Sequence, residues 1–434
     1  MTAPPKTSAG SSASPSTVSA WERIAGMFRQ YAQLPRLSGG WYVPLTLLAR
    51  LPLAMLTIGT MSLVTAVTHS YAVAGLAAGA VGIGSALGAP VVGLLADRLG
   101  QRRVLFAYAA ANVVALILLL VSCLASTEPA IPAIVAASFA SGFTSPQVGP
   151  LSRVRWIALI KRKPGSPAGL NDVAMSFEGT SDELTFVLGP ALVGVLAAFL
   201  APWLPLVLAA TLTLVLVPLF AAHPSAQAPQ SSGANAGPAS REETDDDRGA
   251  RRILVVLSVL AMVCMGTFFG GTQAALSAFA GEFADPELAG LLYSAMGLSS
   301  AVVALSIAAW PERFTHGARW VSCAVLLAAG CALFLLPLNL GTVIPVLLIL
   351  GTAVGPMMVT VFAIGAQIAP AARLSTVMTA LSSGIVAGTA LGYAVAGVAA
   401  QWGGSHPAFL VPGGAALLLV VFGLLAARLL RTMR

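Results

Sequence analysis

The sequence predicts an all-α integral membrane protein: twelve transmembrane helices arranged as two six-helix halves. Three observations carry this. Hydrophobic residues make up 57% of the 434 residues and charged residues only 9%, where a soluble domain carries roughly 25% charged residues. With a mean hydropathy of +0.87, the chain cannot cover a water-facing surface, so lipid must face most of it. The apolar sequence also falls into twelve runs, each near the roughly 20 helical residues that cross a hydrocarbon core of about 30 Å. Finally, lysine and arginine keep to alternate loops.

Residues 1–40 are rich in Ser, Pro and Ala and lack the apolar core of a secretory signal. They are predicted to be a disordered cytoplasmic tail. Residues 41–222 form the N-terminal half, with spans expected at 42–68, 72–96, 104–125, 130–157, 171–200 and 203–222. Residues 223–251 pass from Pro/Ser/Gly/Ala-rich sequence into Glu242, Glu243 and Asp245–Asp247, then Arg248 and Arg251. Such a segment buries no core and reads as a cytoplasmic linker. The C-terminal half, 252–430, has spans expected at 252–280, 287–311, 317–337, 341–369, 373–402 and 406–430, followed by a short cytoplasmic tail at 431–434.

With both termini placed in the cytoplasm, the inside loops carry Arg98, Arg102 and Arg103, then Lys161–Lys163, the basic end of the linker, Arg313, Arg319 and Arg373. The outside loops carry only Glu128, Glu282, Asp285 and Glu287. This positive-inside asymmetry fixes an even number of spans and predicts a multi-pass protein of the cell membrane. The two halves echo each other as well. Met175, Gly189 and Gly194 of the fifth span match Met378, Gly392 and Gly397 of the eleventh at one constant offset. The glycine runs Gly75–Gly88 and Gly384–Gly397 read as small-residue packing seams.

The loop after the second span reads G-L-L-A-D-R-L-G-Q-R-R from Gly93 to Arg103. Gly93, Asp97, Arg98, Gly100, Arg102 and Arg103 thereby resemble the G-x-x-x-D-R-x-G-R-R-type loop of the major facilitator superfamily, at the place where that family keeps it. The resemblance implies a secondary transporter whose cytoplasmic loop latches the two halves together when the protein is open to the outside. Gly189, Pro190 and Gly194 resemble the Gly-Pro motif of drug–proton antiporters in that superfamily, although Thr185 and Val193 stand where the motif has glycines. A Gly-Pro step also bends a membrane helix and lets a neighbour pack closely.

Ionisable groups inside a membrane are costly and mark functional sites. Here they are Arg50 in the first span, Arg153 and Arg155 in the fourth, and Glu178, Asp182 and Glu183 in the fifth. Three basic and three acidic groups at similar depth suggest a mutually neutralising network. Glu178 and Asp182 share a helix face, whereas Glu183 is turned about 100° from Asp182. Arg153 and Arg155 point to nearly opposite sides. One of the three carboxylates either carries a proton during transport or belongs to a permanent salt-bridge gate, and the resemblance links Arg153 to proton coupling. Gln273 and Gln367 are the polar candidates for a substrate cavity in the C-terminal half.

The sequence holds no nucleotide-binding loop, metal-ligand cluster or nucleophile motif, so no enzyme, cofactor or metal is expected. The net charge of +7 follows from topology and implies no nucleic-acid partner. The favoured reading is a monomeric secondary transporter that moves a small, largely apolar molecule by alternating access, as proton-coupled efflux. Its partners are then the substrate, protons and the lipid bilayer. Proton-coupled uptake of a polar or anionic metabolite and a non-transporting sensor or scaffold stand as alternatives.

Overall fold

Proline and glycine decide where the helices of this chain break and where they touch. The computed structural model describes residues 26, 28–125, 130–163, 165, 169–229, 245–283, 288–311, 313–336 and 339–433. Among these residues it is helical, with no strand. The first span comprises Tyr42–Leu48 and Leu51–Thr68, the second Tyr71–Leu99, the third Gln101–Leu124, the fifth Leu170–Phe199 and the sixth Leu204–Ala222. The C-terminal half follows with Asp245–Phe283, Leu288–Ser306, His316–Ala332, Leu340–Ile368, Leu374–Gly403 and Ser405–Thr432. These make eleven described spans long and apolar enough to cross a membrane.

The fourth span is the exception. It was expected as one helix over 130–157, but it is two shorter helices, Ile131–Phe143 and Val148–Arg162. Pro146 lies in the gap. It offers no N–H and pushes the residue before it out of helical conformation, so the helix stops and starts again at Val148. Pro52 does the same in the first span: it has no N–H for the carbonyl of Leu48, and Ala49 and Arg50 form a turn between the two helical pieces. Arg50 lies in the first of these breaks, and Arg153 on the helix that follows the second.

Two further expectations change. Within the tail expected to be disordered, Gln33–Ser38 form a helix with Leu34 buried, because Leu34 and Tyr31 find apolar partners against the bundle. The seventh helix begins at Asp245 rather than at residue 252. The end of the expected linker is therefore helical from residue 245 onward. Residues 230–244 of that linker and 1–25 of the tail lie outside the described residues.

Glycine sets the close contacts. A Cβ on Gly84 or Gly88 of the second span would stand 2.3 or 2.1 Å from the carbonyl oxygens of Phe139 and Phe143 in the fourth. In the C-terminal half, a Cβ on Gly388 or Gly392 of the eleventh span would stand 2.0 or 2.3 Å from the carbonyl oxygens of Val263 and Thr267 in the seventh. Gly189, the counterpart of Gly392, lies against Ala54 of the first span, so both halves use the same device between their first and fifth helices. The seams are shorter than the glycine runs suggested: Gly75, Gly79, Gly82, Gly194 and Gly397 meet nothing within 4 Å. Spans 2 and 11, and spans 5 and 8, form the main seam between the halves.

A contrast of two substitutions tests this packing. Gly388→Ala drives a methyl into fixed backbone and is expected to lower thermal stability in detergent by about 1–3 kcal/mol. Gly397→Ala, in open space, is expected to be neutral or stabilising by up to about 1 kcal/mol through helix propensity. Equal effects would show that the seven–eleven contact is looser than described.

Candidate functional site

The two proline breaks and the fifth span bring a charge network together. Arg50, at the turn in the first span, donates from Nη1 to Asp182 Oδ1 (2.9 Å) and to the carbonyl of Glu178 (3.2 Å). Its Nη2 donates to Glu178 Oε2. Arg153, on the second piece of the fourth span, donates from Nη2 to Asp182 Oδ2 at 2.7 Å. The far oxygen of Glu178 accepts from the Ser152 hydroxyl (2.8 Å) and the Trp156 indole (2.7 Å), and Tyr42 supports Ser152 at 2.9 Å. Arg153 and Glu178 are fully buried. Two guanidiniums and two carboxylates thus neutralise each other, which a low-dielectric interior requires.

The other two members expected in this network are elsewhere. Arg155 points away, to Gln101 Oε1 of the third span (2.8 Å) and the carbonyl of Phe220 in the sixth (2.7 Å), with its guanidinium 3.6 Å over the Phe220 ring. It pairs with no carboxylate there and ties the outer helices of the half together. Glu183 turns from Asp182 towards the C-terminal half. It accepts a hydrogen bond from the Ser300 hydroxyl of the eighth span, and its Oε2 is buried with no protein partner among the described residues. Arg153 also reaches across, its guanidinium 3.9 Å over the Phe362 ring of the tenth span.

A second group of bonds joins the halves at the face that carries the basic loops. Asp97 accepts from the backbone N–H groups of Ser375 (2.9 Å) and Thr376 (2.8 Å) and from the Thr376 hydroxyl (2.7 Å). Its carboxylate therefore caps the N-terminus of the eleventh helix, where negative charge is favourable. Gly93 allows the approach: a Cβ there would stand 2.0 Å from Thr379 Oγ1 and 2.7 Å from the Ser375 carbonyl. Gly100, with φ of +87°, turns the chain into the third helix, while Arg98, Arg102 and Arg103 are exposed.

Sequence reasoning missed two contacts at this face. Asp172 accepts from Arg319 Nη1 (2.6 Å) and lies 3.1 Å from His316 Nε2, tying the start of the fifth span to the start of the ninth. The Tyr31 hydroxyl stands 2.9 Å from both the Ser176 hydroxyl and the Leu305 carbonyl, one in each half. The signal available for the first was a lone acid in the first turn of one span opposite bases in the first turn of another. Deeper along the seam, Ser176 donates to the carbonyl of Ala304 and Ser383 to that of Ala86. The cross-seam bonds named here run from the basic face to mid-membrane.

The two glutamines are not brought to the network. Gln273 is half-buried in the seventh span. Gln367 is exposed at the basic end of the tenth, in a groove of about 660 Å³ with Arg251, Arg428 and Arg431. The tenth helix ends at Ile368, one residue beyond Gln367, which places this glutamine at the helix end and away from the charge network.

A twelve-span bundle with its halves tied through Gly93 and Asp97 leads directly to the comparison with known families. The model of the Major Facilitator Superfamily matches residues 45–382 and 258–433. The chain belongs to this superfamily. It is a secondary transporter that works by alternating access, not an enzyme. No curated protein matches it. Among solved structures, the facilitator is similar to the human organic anion transporter MFSD10, with TM-score 0.62 and 20% identity over 93% of this chain and 100% of that one. It is also similar to the E. coli fucose:proton symporter, with TM-score 0.59 and 13% identity over 88% and 98%. A bacterial homologue of the iron transporter ferroportin, in its outward-facing state, gives TM-score 0.65 and 15% identity over 88% and 98%. At these identities the likeness is one of fold.

Asp97→Ala removes the cap and its cross-seam bonds together, worth about 1–2 kcal/mol. The ratio of seam-open to seam-closed molecules should therefore rise about 5–30-fold. Distances between spin labels at the basic ends of spans 2 and 11 would report it as a new, longer population. An unchanged distribution would mean that other contacts alone hold this face shut.

Proposed function

We propose that this facilitator exports small, largely apolar molecules across the cell membrane in exchange for protons, with Glu183 carrying the proton. The basic loops then face the cytoplasm, together with both termini, as the positive-inside rule requires. In this orientation the structure described is closed to the cytoplasm, and the Gly93–Arg103 loop acts as part of the cytoplasmic gate.

One observation supports Glu183 above the others. A proton added to Asp182 takes the carboxylate partner from Arg153 and one of two from Arg50, and a proton added to Glu178 leaves two buried guanidiniums with one carboxylate. Breaking a buried pair costs about 3–5 kcal/mol. A proton added to Glu183 strands no arginine. Glu183 also sits on the moving seam, held by Ser300 of the opposite half. Opening the cytoplasmic side must break that bond, so its protonation and the position of the halves bias one another. The other carboxylates, by the same reasoning, are the static staple that keeps the broken first and fourth spans against the fifth.

The same geometry weighs against anion uptake. That reading needs Arg50 and Arg153 as free cations for a substrate, whereas each already donates to a carboxylate. The apolar character of the interior favours an apolar cargo, and lipophilic molecules that partition into the bilayer are ones a cell must export against leakage.

Quenching of a pH gradient in inverted vesicles tests the proposal. Adding a transported lipophilic compound should release protons through the wild-type protein. Glu183→Gln is expected to fold normally and to abolish that release. Asp182→Asn is expected mainly to reduce the amount of folded protein, because it takes the carboxylate from Arg153 and one of two from Arg50. Proton release that survives Glu183→Gln would remove this residue from the coupling role.

A further inference from the structure

The fourth span restarts after Pro146 as V-G-P-L-S-R, which makes Gly149 the second residue of its inner helix. Nothing in the backbone requires glycine here, since Gly149 is absent from the positive-φ residues. What surrounds it does. A Cβ at this position would lie 3.1 Å from Asp182 Oδ1, 3.6 Å from Arg153 Nη1 and 3.7 Å from Arg50 Nε. Three polar atoms of the charge network therefore converge on the bare face of this one residue.

Two of them are donors without hydrogen-bond partners among the described residues. Arg50 uses Nη1 and Nη2 on Asp182 and Glu178, and Arg153 uses Nη2 on Asp182. Arg50 Nε and Arg153 Nη1 are buried and bonded to no other residue among those described. Arg50 is 5% exposed and Arg153 0%. Buried N–H groups of a charged side chain are seldom left so, because an unmet donor loses its hydration for nothing.

The chemistry of an occupant follows from the three atoms. It must accept hydrogen bonds from both guanidiniums, and it must donate one to Asp182. An anion would meet the Asp182 carboxylate, and a cation would meet two guanidiniums. A neutral oxygen that carries hydrogen satisfies all three, and two to four polar partners are what a buried water commonly has. We propose that Gly149 marks a one-oxygen subsite for a neutral hydroxyl-type oxygen, supplied by a water molecule or by the hydroxyl of a bound substrate. The inference is independent of which carboxylate carries the proton, since Glu183 is not among its contacts.

Two substitutions in the full-length protein test the subsite. In Gly149→Ser the side-chain oxygen, one bond beyond a Cβ that would lie 3.1–3.7 Å from the three atoms, is expected to take over the work of the bound oxygen. In Gly149→Ala a methyl occupies the place and satisfies none of them. Without added substrate, alanine is expected to lower the melting temperature in detergent by about 2–4 °C, and serine to stay within about 1 °C of wild type. Serine and alanine behaving alike, whether both harmless or both damaging, would overturn the proposal. The source of the oxygen is read by adding benzyl alcohol or its methyl ether. A rise in wild-type melting temperature with the alcohol alone, lost in Gly149→Ser, assigns a substrate hydroxyl. The serine–alanine contrast with no response to the alcohol assigns water.

Discussion

Inside hydrocarbon a charged side chain has no water to turn to, and Arg50 shows how much of this molecule follows from that. It sits at a break in the first span, where a Pro52-induced turn aims it inwards, and it bonds two carboxylates on consecutive turns of the fifth span. Arg153 completes the set from the inner helix of the fourth. Without this mutual neutralisation the two broken spans would have no strong reason to stay against the fifth, because apolar packing alone drives helices together only weakly in lipid. The network thus compensates charge and also fixes the arrangement of the N-terminal half.

The broken helices and the network depend on each other. A continuous fourth span would carry Arg153 and Arg155 at whatever angle the helix dictated; the gap at Thr144–Gln147 lets the inner piece set its own rotation. Arg153 then faces the seam while Arg155 faces the third and sixth spans. Irregular backbone is tolerated at membrane depth only where protein surrounds it, and the buried Ser145 and Gln147 meet that condition. Discontinuous helices near the midplane are a recurrent feature of transporter sites, and here two of them meet at Gly149.

Alternating access asks for a seam that is firm yet separable. The hydrogen bonds and ion pairs across it are few in kind: a carboxylate on a helix N-terminus at Asp97, an ion pair at Asp172, single hydroxyls at Ser176, Ser300 and Ser383. Within each half glycine lies against backbone at several successive turns, between spans 2 and 4 and between spans 7 and 11, whereas across the seam Gly93 does so at the basic end. Close backbone packing cannot slide without collision, whereas hydrogen bonds at a hydrated face can exchange for water. Rigid halves and an exchangeable seam are the mechanical requirement for one half to rock against the other.

Most of the fold was legible in the sequence. Span count and the six-plus-six division follow from apolar length, because a bilayer of fixed thickness admits few solutions, and the basic loops fall on one face of the bundle. Helical period put Glu178 and Asp182 on one face, Glu183 about 100° away, and Arg153 and Arg155 on nearly opposite sides, without choosing which arginine would meet the carboxylates. Pro146 was visible in the polar stretch T-S-P-Q, but the segments on either side have together the length of one span, which hid the break. The partners were not legible. Period gives a side chain's direction about its own helix axis and says nothing of which helix lies in that direction. That Asp182 meets Arg153 while Glu183 meets Ser300, that Asp172 meets Arg319, and that Tyr31 lies across both halves were decided only when the twelve helices packed.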